Sequence, residues 1–304
     1  MRRILIFLCI IPFLTGCNSS QNANTDLSIH EVMDDSGQDT EPAISEESMG
    51  EIIQSFPSPI EIATLIKDGG TRFNEKYLNS KDNVGLYSTD DEKALAMGIY
   101  AGDLGYINIY SKSYLALGYL GTIKSLANDL KVGQFFDFET IKRFTSNSDK
   151  LDSLLYLTTL NFSRMDNYLR NQKRSKLSVL IVTGTWMEGL YLATQVVQTK
   201  TDEALKERIG EQKMILDQVM LLLSVYESDP FFNDLNYAMS PLKNLYDDVS
   251  IEYNYREPET KDVDGRLVVV DNSTTEVVIT DDQVKEIGRL VTNLRNGMVN
   301  KLHK

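Results

Sequence analysis

Cysteine and histidine are nearly missing from this chain, and their scarcity removes whole classes of chemistry. The 304 residues hold two cysteines, Cys9 and Cys17, and two histidines, His30 and His303. From residue 18 onward there is no thiol for a disulfide, a thiolate nucleophile or a zinc–sulfur site. No histidine is well placed inside the body, which argues against Ser-His-Asp and Cys-His catalysis, HExxH zinc sites and haem ligation. Any catalysis falls to carboxylates, Tyr, Lys, Arg or Ser, and no cofactor or metal is expected. Cationic stripes are lacking too: 31 Lys plus Arg face 44 acids, a net charge of −13. Nucleic-acid binding needs clustered cations to displace counterions, so that partner is not expected.

The amino terminus carries what the rest of the chain lacks, a short cationic start followed by an apolar run. Arg2 and Arg3 precede Ile4 to Phe13, ten residues, which is far below the roughly 20 that span a bilayer as a helix. Leu14-Thr15-Gly16-Cys17 follows, and it resembles the lipobox of bacterial lipoproteins, with small residues before a cysteine whose sulfur receives lipid. The resemblance implies a signal peptide over residues 1–16, lipidation of Cys17, and attachment to a membrane through acyl chains. Asn18 and Ser19 follow the cysteine where inner-membrane retention would call for Asp, and the first acid is Asp26. The expectation is therefore an outer-membrane protein facing the periplasm. Residues 18–51 hold nine acids and no Lys or Arg, so residues 17–54 read as an acidic, disordered tether that anionic headgroups repel.

From residue 55 the pattern is helical. Ser58-Pro59 caps a helix over 60–67 that Gly69-Gly70 stops. Thr89 and Glu92 form a capping-box pattern that opens a helix reaching about Tyr110. Further helices are predicted over 113–131 (ending at Gly133), 138–144, 149–171, 175–199, 202–227 (capped by Thr201), and from Asp229-Pro230 with a break at Ser240-Pro241. Val-rich runs at 266–271 and 275–280, joined by Asn272-Ser273-Thr274, predict a β-hairpin. A last helix, capped by Thr280, carries the stripe Val284, Ile287, Val291, Leu294, Met298. The fold class is all-α: a bundle of long helices over 55–304, with one small β-hairpin before the C-terminal helix.

Two segments are apolar nearly all round, which marks the centre of a bundle. Asp103 is the lone charge between Ala94 and Tyr110, and Glu188 the lone charge between Leu177 and Gln198. Gly98-Ile-Tyr100-Ala-Gly-Asp-Leu104 and Gly184-Thr-Trp186-Met-Glu-Gly-Leu190 match weakly at an offset of 86, which suggests two pseudo-symmetric halves. Gly98, Gly102 and Gly105, and Gly118 with Gly121, point to close helix approach or to a ligand against bare backbone. A buried Glu188 needs a partner, for which Arg164 or a Tyr hydroxyl is the candidate. Alternatively, Asp103 and Glu188 meet in a cleft walled by Tyr100, Tyr106, Trp186 and Tyr191, where unlike carboxylates could divide acid and base roles as in glycoside hydrolysis. The candidate ligand-binding set is Tyr100, Asp103, Arg164, Trp186, Glu188 and Tyr191. Gly118 to Ser125 fails as a P-loop, and Asp262-Val-Asp264-Gly265 fails as a calcium loop and reads as a turn.

Together with Ser55-Phe-Pro-Ser-Pro59 and the Gly-Thr-Trp186-Met-Glu-Gly-Leu-Tyr segment, the lipobox and tether make the chain resemble the uncharacterised helical envelope lipoproteins of Gram-negative bacteria. That resemblance implies fold and location and no mechanism. Three functions are weighed, the last of them a purely structural envelope component. The first is a non-enzymatic, membrane-tethered protein that binds an envelope partner protein or a small ligand. The second is a carboxylate-dependent hydrolase of envelope or imported glycans that uses Asp103 and Glu188.

Overall fold

Nine α-helices form among the described residues of a computed structural model, which covers 44–57, 63–64, 66–67, 71–145, 151–199, 202–263, 266–270 and 272–300. They are α1 (Glu46–Ser55), α2 (Asp90–Ile109), α3 (Ser113–Asp129), α4 (Phe138–Thr145), α5 (Leu151–Asn171), α6 (Ser175–Thr199), α7 (Glu203–Ser224), α8 (Pro230–Asp247) and α9 (Asp281–Asn300). The signal segment, Cys17, most of the tether, the Ser58-Pro59 cap, the Gly69-Gly70 stop and Thr201 lie outside the described residues. The all-α bundle is as expected, with a small antiparallel β element before the last helix.

Local chemistry explains most helix limits. Thr89 Oγ1 accepts from Glu92 N at 3.1 Å and Glu92 Oε2 accepts from Thr89 N at 3.0 Å, the reciprocal capping box. Thr280 and Gln283 repeat that arrangement at α9. Asp202 caps α7 by accepting from Leu205 N at 2.9 Å. Three helices end on a non-glycine residue in the left-handed region: Ser111 after α2, Lys131 after α3 and Lys173 after α5. Each turn closes with a backbone bond five residues back, such as Arg174 N to Leu169 O at 2.8 Å. Lys131, not Gly133, therefore terminates α3.

Three expectations need correction. Helix α1, Glu46–Ser55, lies largely inside the stretch read as disordered tether. Met49 and Ile53 of α1 are buried, Ser175 Oγ donates to Glu46 Oε2 at 2.7 Å, and Arg170 reaches the Glu46 carbonyl. The acidic face that made this segment look unfolded is its solvent side. Pro241 does not break α8, which runs through it. The ring projects from an exposed position, and its neighbours Met239 and Leu242 are held in the core. The Val-rich runs do not pair with each other. Arg266–Val270 pairs antiparallel with Glu259–Val263, and Thr274–Val278 pairs with Ser250–Asn254. Both runs thus lie on one arm of a longer hairpin, and the expected turn at Asp264-Gly265 lies outside the described residues. The other arm, rich in Glu, Lys and Asp, lacks a β signature because it pairs through its backbone and packs little.

The core forms around α2 and α6. The stretch Ser175–Thr199 is long and apolar enough to cross a membrane by length and composition, yet 94% of its apolar window is buried within the bundle. Glycine permits this packing. A Cβ on Gly98 would lie 2.0 Å from the Ile181 carbonyl oxygen, and one on Gly184 would lie 2.1 Å from that of Leu95. These contacts are equivalent at an offset of 86, as are Gly98 against Thr185 N and Gly184 against Ile99 N. The two helices run parallel and cross on a local pseudo-two-fold. Gly102 sits against Glu188, its own equivalent. By contrast, Gly118 faces the Lys81 side chain and Gly121 faces open space, so these two make no helix–helix approach.

Candidate functional site

One turn beyond the glycine crossing, α2 and α6 deliver Asp103 and Glu188 to the same spot. Both are 0% exposed. The cation that meets them is Arg295, from α9. Its Nε and one terminal nitrogen donate to the two Glu188 oxygens, each at 2.9 Å, a bidentate pair. Arg295 also donates to the Tyr77 carbonyl at 3.1 Å, and its guanidinium stands 4.5 Å from the Tyr191 ring centroid. Burial pulls the Arg295 guanidinium down, and the Glu188 charge and hydrogen bonds more than offset this.

Asp103 completes the cluster in a different state. Its Oδ2 accepts from Asn79 N at 3.1 Å, while Oδ1 meets no donor. Burial first, then the neighbouring Glu188 charge, push its carboxyl well above the usual range, with Arg295 opposing. Two carboxyls against one guanidinium in a dry interior leave one negative charge too many, and protonating Asp103 removes it. Interaction with the Glu188 side chain acts in the same direction. Tyrosine hydroxyls close the surroundings: Tyr100 donates to the Ser80 carbonyl at 2.8 Å and Tyr119 to the Asn79 carbonyl at 2.8 Å. Burial raises the Tyr87, Tyr100, Tyr119 and Tyr191 phenols, which keeps them neutral donors.

Of the six candidate residues, the structure gathers Tyr100, Asp103, Glu188 and Tyr191. It separates the other two. Arg164 is exposed on α5 and is not the partner of Glu188; that place belongs to Arg295. Trp186 is the pseudo-two-fold equivalent of Tyr100, so the crossing sends the two aromatics to opposite flanks. Its Nε1 donates to Gln212 Oε1 on α7 at 3.0 Å. Tyr106 is also elsewhere, stacked on Phe73 and accepting from Asn74 N at 3.1 Å. The cleft walled by all four aromatics is therefore not formed. The signal for Arg295 was present but shifted. A strict heptad along α9 puts Leu294 and Met298 inward, whereas the buried face steps by four through Val291, Arg295 and Val299.

This cluster has the chemistry of a structural lock. Neither of two large cavities is lined by Asp103 or Glu188. Glu188 is committed to Arg295 through both oxygens and Asp103 is fully buried beside it, which leaves no place between them for an attacking water or a sugar ring. Among the described residues no three His, Cys, Asp or Glu side chains gather into a metal-binding group.

Space lies on the other flank. A cavity of about 440 Å³ opens between α1, α2, α3, α4, α5 and α6. Its deep wall is Ile181, Thr185 and Trp186 of α6 with Ala101 and Gly105 of α2, and Phe136, Phe138 and Phe162 supply aromatic faces. Among the described residues, no Lys, Arg, Asp, Glu or His lines it. Asn108, near the end of α2, is buried in the wall, and its Oδ1 has no hydrogen-bond partner. The Thr185 hydroxyl is already committed to the Gly98 carbonyl at 3.2 Å. Sequence reading missed this cavity because several elements far apart in the chain enclose it.

No family model matches the chain, and the curated proteins and solved structures compared with it give no match either.

Proposed function

We propose that this chain is a lipid-anchored, non-enzymatic envelope protein whose helical domain takes a small, predominantly apolar ligand. The observation that carries the reading is the uncharged cavity of about 440 Å³, within the size range of small-molecule sites. The fully buried Asp103–Glu188–Arg295 cluster, with both Glu188 oxygens held by Arg295, weighs against the glycan-hydrolase alternative. Attachment through Cys17 and an outer-membrane position facing the periplasm rest on Leu14-Thr15-Gly16-Cys17 and the absence of Asp at position 18. Helix α1 begins only about 30 residues after Cys17, so the acidic linker would hold the cavity within a few nanometres of a bilayer.

Two measurements on protein purified from native membranes test this. Mass spectrometry should find residue 17 as the amino terminus carrying a diacylglyceryl thioether; an unmodified Cys17 overturns the anchoring. Organic extraction of the same protein should release an apolar small molecule that the Ala101→Phe variant, with its cavity filled, does not carry. Equal extracts from both overturn the binding role.

A further inference from the structure

One wall of the large cavity is built differently from the others. Ile53, Gln54, Phe56 and Pro57, the last turn of α1 and the two residues after it, line it, and Pro57 also lines a second cavity of about 290 Å³. Tyr156, Thr159 and Ser163 of α5 line the same cavity. Gln54 and Tyr156 are exposed, whereas Ile53, Met97 and Trp186 are buried, so the rim runs between α1 and α5 and the depth is shut from solvent. Moving α1 away from α5 would remove that wall.

Helix α1 is the element best suited to such a movement. It is ten residues long, too short to persist alone in water, and it buries Met49, Gly50 and Ile53. A short element with few buried side chains opens at lower cost than the central helices. Its polar hold on the body centres on Arg170 of α5. Arg170 Nε donates to Asp166 Oδ2 at 3.0 Å and a terminal nitrogen donates to Asn167 Oδ1 at 2.6 Å. Braced in this way, the guanidinium lies on the bare backbone of α1. A Cβ on Gly50 would stand 2.6 Å from its other terminal nitrogen, which donates to the Glu46 carbonyl at 3.4 Å. Ser175 Oγ donates to Glu46 Oε2 at 2.7 Å, and the Tyr226 hydroxyl donates to the Met49 sulfur at 3.5 Å. These contacts gather on Glu46, Met49 and Gly50, away from the turn that faces the cavity.

We infer that α1 is a strap that closes the cavity, and that Arg170, held by Asp166 and Asn167, latches it. This goes beyond the binding reading, since the opening of the strap is measurable with no ligand present.

Trp186 is the chain's one tryptophan, is buried and lines the cavity, so acrylamide quenching of its emission reports opening. Removing Arg170 alone would strand the buried Asp166, so Asp166→Asn is compared with Asp166→Asn plus Arg170→Ala, both in the full chain made unacylated. The added Arg170→Ala should raise the quenching rate about tenfold, the scale of one charge-assisted hydrogen bond. Nile red, a neutral dye, should enter and leave about tenfold faster with a much smaller change in Kd, because the strap is closed in both end states. Hydrogen exchange of the wild-type protein needs no variant: α1 amides should exchange faster than those of α2 and α6. Exchange in α1 as slow as in α6 overturns the inference. So does quenching that differs less than twofold between two variants that both unfold cooperatively. If Nile red does not bind at all, the binding reading fails, while quenching and exchange still decide the strap.

Discussion

Glu188 and Arg295, 107 positions apart in sequence, meet through two parallel hydrogen bonds of 2.9 Å in the interior. The pair ties the central helix α6 to the last helix, α9. Removing one partner strands a charge in the core, whereas removing both does not.

Arg295→Met and Glu188→Gln should therefore each destabilise the protein by about 3–5 kcal/mol, read from the urea midpoint. The double variant Glu188→Leu with Arg295→Met should recover most of that loss. A double variant as unstable as the sum of the singles would show that the pair is not energetically coupled.

Asp103 should behave as a neutral residue. Asp103→Asn keeps the shape and removes the titration, so its stability should lie within about 1 kcal/mol of wild type at pH 5. Because the folded carboxyl holds its proton over a range where the unfolded chain has lost it, the folded state binds more protons there. That contribution is fully present below the ordinary value of 3.8 and is lost as pH rises through the raised one. Thermal melts from pH 4 to 9 should show wild type losing stability relative to Asp103→Asn as pH increases. A gap that narrows with rising pH contradicts a protonated Asp103.

The glycines divide into two kinds, and alanine scanning should separate them. Gly98→Ala and Gly184→Ala force a methyl onto backbone oxygens at 2.0 and 2.1 Å, and each should cost several kcal/mol by pushing α2 from α6. Gly121→Ala and Gly297→Ala meet nothing within 4 Å inside helices, and each should stabilise by about 0.5–1 kcal/mol. Chemical denaturation of the four variants decides; equal effects would refute the crossing geometry.

Pro241 gives a fourth test. It sits exposed within α8, where it removes a helix donor without packing in return. Pro241→Ala should raise stability by about 1–3 kcal/mol in the same assay. A destabilised variant would mean the ring is needed to shape α8.

The sequence by itself determined the helical class, most helix limits, the two central helices and the 86-residue correspondence between them. Those features follow from local signals: capping pairs at Thr89 and Thr280, turn chemistry, and apolar residues that leave a helix no solvent face. The correspondence even held the reason why Tyr100 and Trp186 diverge, since a two-fold sends equivalent side chains to opposite sides. Only the tertiary structure decided that Arg295, not Arg164, answers Glu188, that the Val-rich runs share one arm of a hairpin, and where the cavity lies. A charge partner is chosen by proximity in space and a strand partner by backbone register. A void is defined by several elements at once, and the order of residues along one helix or strand carries none of this.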